Sequence, residues 1–108
     1  MWEQHLQLFD EIAADAQLER KGKTMPYTSS NGYMFSLLNK DGELGIRLSK
    51  EDQKKFIEEF PESGLFKSHG ATMRDYVLVP ESLLKTNKKI VTFYLKRGHS
   101  YVNTLKPK

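Results

Sequence analysis

The sequence predicts an α+β domain with an antiparallel sheet, its elements ordered α-β-β-β-α-β-β-α. Three observations predict it. Apolar residues recur at three- and four-residue steps near both ends of the chain. Residues 43–48 alternate with period two, as a half-buried strand does. Glycine, asparagine and proline punctuate the stretches between. At 108 residues the chain suits one domain and is too short for two. An aromatic share of 11% is too rich for a disordered chain, so a packed core is expected.

Trp2, Leu6, Phe9, Ile12, Ala13 and Ala16 form one stripe on a helix over residues 2–18. Gly22, between Lys21 and Lys23, is placed to take positive φ at its C-cap. Strands follow: Met25-Pro26-Tyr27-Thr28, then a turn at Ser30-Asn31-Gly32, then residues 33–38. Asn39-Lys40-Asp41-Gly42 is a second turn, and Glu43–Leu48 puts Leu44, Ile46 and Leu48 on one face. Ser49 caps a second helix, with Asp52 three residues on as an aspartate form of the capping box. Phe56, Ile57 and Phe60 make its buried side, and Pro61 stops it. A fourth strand opens at Leu65-Phe66-Lys67 and reaches Met73 across an irregularity at Gly70. A fifth covers Tyr76–Val79, and Pro80 opens a short turn through Leu84. The last helix starts after Thr86 or Asn87, and its inward stripe runs from Ile90 through Tyr94, Gly98 and Val102 to Leu105. The apolar spacing stays in phase across Gly98, which predicts close packing there rather than a break. The sheet is expected to bury one face beneath the terminal helices.

Composition excludes several chemistries. There is no cysteine, hence no disulfide framework, thiolate nucleophile or thiolate metal site. The first twenty residues carry five acids and no unbroken apolar run, unlike an export signal, and no stretch is long enough to span a membrane. The cytoplasm is the expected compartment. The charge is dipolar: residues 1–19 hold five acids and no Lys or Arg, whereas residues 82–108 hold seven Lys or Arg and no acid. The acidic segment is therefore expected to meet the basic one, either within the chain or between two copies.

No catalytic residue, metal site or cofactor is expected. His5, His69 and His99 make no HxxxH or HExxH spacing. Ser68-His69 places a hydroxyl beside an imidazole, but neighbours on a strand point to opposite faces. The seven glycines form no phosphate cradle. What remains is binding. Tyr33, Arg47, Lys67, His69, Arg74 and Tyr76 mix rings with cations in the strand region and are the candidate ligand or partner contacts. Lys88, Lys89, Lys96 and Arg97 on the last helix are the candidate phosphate contacts of a weak nucleic-acid binder, the alternative reading. Open sheet edges favour pairing of two identical chains.

Several short blocks carry a family resemblance: Lys23-Thr24-Met25-Pro26, Tyr33-Met34-Phe35, Phe66–Met73 and Tyr76-Val77-Leu78-Val79-Pro80. On them the sequence resembles the N-terminal domain of the TfoX/Sxy competence regulators and their stand-alone relatives, over about residues 5–105. The resemblance implies an α+β fold similar to the type III secretion chaperones. It implies no catalytic residue. Longer members carry a second domain and act in transcriptional control of DNA uptake. This chain ends three residues after Leu105, so the expectation is a stand-alone, non-enzymatic regulatory domain whose partner is a protein or a second copy of itself.

Overall fold

The computed structural model describes residues 2–68 and 70–108. Helix α1 (Trp2–Asp15) leads into β1 (Tyr27–Ser30), β2 (Tyr33–Leu38) and β3 (Leu44–Arg47). Helix α2 (Lys50–Glu59) connects to β4 (Leu65–Ser68) and β5 (Ala71–Val79), and α3 (Glu81–Thr86) and α4 (Lys88–Val102) close the chain. The strands form one five-stranded sheet ordered β1-β2-β3-β5-β4, every neighbouring pair antiparallel.

The α+β class and the antiparallel sheet stand, with one helix more than expected. Pro80 opens α3 rather than a short turn, because Leu83 and Leu84 are buried and the Leu84 N–H bonds the Pro80 carbonyl. Asn87 stands at the start of α4 but makes no side-chain capping bond there. Helix α1 stops at Asp15, earlier than the apolar stripe suggests. Gln17 takes φ +60°, the Leu18 N–H reaches back to the Ala13 carbonyl, and the Gln17 N–H reaches Ala14. This is a Schellman closure, with Leu18 packing on the core just beyond it. Gly22 does have positive φ, but in the following loop, where a Cβ would sit 2.6 Å from the Met25 carbonyl oxygen.

Asn31 and Gly32, both at positive φ, make the two-residue β1–β2 turn that suits strand twist. The β1–β2 register slips between Thr28 and Ser29, leaving Phe35 as an extra residue on β2. That bulge explains why Phe35 and Ser36, although adjacent, are both fully buried. The fourth and fifth strands pair as an antiparallel hairpin, with Ser68 opposite Ala71, so Met73 belongs to β5. The positive φ of Gly70 marks a turn, where the sequence suggested a mere irregularity.

One sheet face packs under α1 and α4. Phe9, Ile12, Phe35, Ile46, Leu48, Val91 and Leu95 are all fully buried there. Leu44, Ile46 and Leu48 share this face as the alternation requires. The acidic and basic ends of the chain meet within it, since Lys88 of α4 donates to Glu11 of α1. Ser49 caps α2, accepting from the Asp52 N–H at 3.2 Å, a cap worth about 1 kcal/mol. The Asp52 carboxylate does not complete a capping box. It is buried and takes two hydrogen bonds from Arg97 of α4. With Asp52 and Phe56 facing inward, Ile57 turns outward and is 47% exposed, contrary to its expected place on the buried side.

Candidate functional site

The second sheet face is closed by the chain folding back on itself. Gly45, on the face opposite Leu44 and Ile46, has no side chain, and the fully buried Phe66 ring lies against it. A Cβ there would come within 2.5 Å of that ring. Phe66 stacks on Tyr76 with centroids 5.8 Å apart. The Tyr76 hydroxyl crosses β3 to donate to the Met34 carbonyl at 2.8 Å, and the Asn39 amide donates to the Lys67 carbonyl at 2.8 Å. The β4–β5 hairpin is thereby drawn toward the outer face, where Ser68 of β4 and Tyr27 of β1, on the two edge strands, line one groove.

This groove holds about 400 Å³ and is lined by Met25, Tyr27, Met34, Leu37, Ser68, Ala71 and Met73. Three methionines thus converge from a loop and two strands. Such unbranched, polarisable side chains adapt to varied apolar shapes. A second, polar groove of about 330 Å³ adjoins it, sharing Met25 and Ser68 and adding Asn39, Lys40, Asp41 and Lys67. Ser68 is 7% exposed, and its hydroxyl has no hydrogen-bond partner among the described residues.

The residues singled out from sequence divide among several places. Lys67 is exposed on the rim of this site. Tyr76 supports the groove floor through Met34. Tyr33 and Arg47 meet elsewhere: the guanidinium lies 5.4 Å from the Tyr33 centroid and 5.9 Å from that of Tyr101. Asp75 is 3.8 Å from it, beyond hydrogen-bonding distance, and the Tyr33 hydroxyl donates to the Lys106 carbonyl. Arg74 is exposed on β5. His69 lies outside the described residues. Of the four α4 cations, Lys88 is tied to Glu11 and Arg97 to Asp52, leaving Lys89 and Lys96 exposed. That is a thin set for a phosphate backbone.

Met34 and Leu37 line the groove although neither a ring nor a charge marks them in the sequence. The available signal was methionine recurring on strands, where β-branched residues are the commoner choice. His5, which in the sequence lacks any metal-ligand spacing, is a buried tie: Nδ1 lies 2.6 Å from the Gly42 carbonyl and Nε2 2.9 Å from the Glu81 carboxylate. Lys85 first, and then His5, hold the Glu81 carboxyl below its usual range. No three His, Asp or Glu side chains converge as a metal site among the described residues. Nor is any helix among them long and apolar enough to cross a membrane.

Burial pushes the Tyr76 phenol up to about 12, with Arg47 opposing and Asp75 adding. The folded state thus keeps a proton that the unfolded chain gives up near 10, so stability from this group is intact below about pH 10 and lost as pH rises toward 12. Urea midpoints taken between about pH 9 and 11 should fall more steeply for the native chain than for Tyr76→Phe. Equal slopes would show that the phenol is not desolvated.

No family model matches the chain, and neither does any curated protein or solved structure.

Proposed function

We propose that the chain is a non-enzymatic binding domain of regulatory type, and that its outer-face groove receives an extended segment of a partner protein. The observation that carries this reading is the convergence of Met25, Met34 and Met73 around an open apolar cleft. Methionine-lined clefts re-pack around different side chains, as suits a recruiting surface. Two polar side chains beside the groove are spent on structure, Tyr76 on the Met34 carbonyl and Asn39 on the β4 edge.

Relationship to the TfoX/Sxy N-terminal domain, and through it to the secretion chaperones, is part of the same proposal. Its support is the short blocks at Met25, Phe35, Phe66–Met73 and Tyr76–Pro80. The alternative of self-pairing through sheet edges has less to draw on. Lys21 already exchanges two hydrogen bonds with Tyr27 at the β1 edge, and Asn39 caps Lys67 at the β4 edge.

Selection of displayed random linear peptides against the folded chain tests the reading. Selected peptides should shift the methyl resonances of Met25, Met34 and Met73, and Met73→Asp should weaken them about tenfold or more, the cost of losing one apolar contact. Peptides that instead map to Lys89 and Lys96, or that ignore Met73→Asp, would refute it.

A further inference from the structure

We infer that the partner segment is acidic, carrying carboxylates beside the apolar side chains that enter the methionine groove. The inference rests on the protein-binding reading above and adds the chemistry of the partner. The polar groove continues the apolar one through Met25 and Ser68, so a segment seated in the first lies alongside the second. Two cations border it. Lys40 and Lys67 are exposed, and neither has an acidic partner among the described residues. The acid that also lines this groove is Asp41, which leaves the rim net positive.

The other polar groups separate into used and unused. The Asn39 amide donates to Glu43 and to the Lys67 carbonyl, and its oxygen accepts from the Asp41 and Glu43 N–H groups. It has nothing left for a ligand. The Ser68 hydroxyl is the reverse case: nine-tenths buried, lining both grooves and unpartnered. A buried hydroxyl without a partner costs free energy that an incoming acceptor would recover. Two free ammonium groups and one free hydroxyl next to an apolar cleft favour a segment with apolar anchors and carboxylate neighbours.

A second copy is a poorer occupant, since its extended segments are already paired in its own sheet and six of its fourteen acids are held in ion pairs among the described residues. Glu11 holds Lys88, Asp10 holds Arg20, Asp52 holds Arg97, and Glu81 holds His5 and Lys85.

The test is titration of the full chain, with labelled methionine methyls, by end-blocked hexapeptides alternating leucine with glutamate, leucine with lysine, or alanine with glutamate. The leucine–glutamate peptide should shift the Met25, Met34 and Met73 methyls. Affinity should fall about tenfold for the leucine–lysine peptide, and similarly for the leucine–glutamate peptide on Lys40→Glu/Lys67→Glu, as expected for two partly exposed ion pairs. The alanine–glutamate peptide should not bind. Both lysines are exposed, so an unchanged amide spectrum will show that the double variant folds. If the leucine–lysine peptide binds equally well, the acidic requirement is overturned while the groove reading stands. If neither leucine peptide moves the methyls, the groove reading itself falls. Decanoate acting as strongly as the peptide, or concentration-dependent dimerisation producing the same shifts, would also overturn the inference in favour of those occupants.

Discussion

Replacing Gly98 with alanine lowers stability by about 2 kcal/mol, although helix propensity alone would raise it by up to about 1 kcal/mol. Gly98 is buried in the C-terminal half of α4, where that helix lies against the sheet. A Cβ there would stand 2.6 Å from the Arg47 carbonyl oxygen, 3.2 Å from Ile46 Cγ2 and 3.5 Å from Phe35 Cδ2. The nearest of these is backbone, held in the β3–β5 ladder, and cannot turn away as a side chain would. The helix must lift by several tenths of an ångström, loosening Leu95 and Val102 on either side. Gly98→Val should cost more, about 3 kcal/mol, because its extra methyls meet the same wall. Thermal unfolding reads the effect: about 10 °C is expected for the alanine variant in a domain of this size. A neutral or stabilised Gly98→Ala chain would mean that α4 is not seated on β3 as described.

Truncating Phe35 to alanine removes about 3–5 kcal/mol, the usual range for a buried phenylalanine. Phe35 is fully buried, sits at the β2 bulge and packs its ring 5.4 Å from that of His99. Against a total of about 5–15 kcal/mol for a folded domain, such a loss is a large share of the stability. Phe35→Leu keeps most of the volume and should cost less than about 1.5 kcal/mol. Urea midpoints for the two variants, at unchanged slope, would separate cavity formation from loss of the fold. The Gly98→Ala penalty should persist in the Phe35→Leu background, since its tightest contact is a carbonyl and not the ring. Equal midpoints for Phe35→Ala and Phe35→Leu would place the ring outside the core.

Much of the fold was legible because local rules acted without competition. The Asn31-Gly32 turn, the Leu44/Ile46/Leu48 alternation and the Ser49 cap each rest on neighbours within a turn or a strand pair, and the close approach at Gly98, though made to distant strands, shows in the unbroken phase of the α4 stripe. The misreadings share a cause. Ile57 carries an apolar side chain on the flank of α2, but Arg97 of α4, some forty residues away, draws Asp52 inward and rotates Ile57 out. Asp52 likewise has a local use as a cap and a distant one as an ion pair, and the distant one prevails. The β4–β5 hairpin was divided at the wrong place because a lone glycine signals irregularity without saying whether the chain reverses.

The candidate site was the least legible part. Tyr33 and Arg47 do meet, but Lys67 and Tyr76 serve another surface, and Met34 and Leu37 were not among the candidate contacts. From sequence alone came the α+β class, the strand alternation, the helix starts and the lack of any thiol chemistry, since each depends on residue type and short-range spacing. Only the tertiary structure decided that the hairpin packs Phe66 over Gly45 and that three methionines gather in a groove shared by Tyr27 of β1 and Ser68 of β4. That packing depends on an absent Cβ at Gly45 meeting the Phe66 ring from twenty-one residues away, a contact that no local pattern encodes.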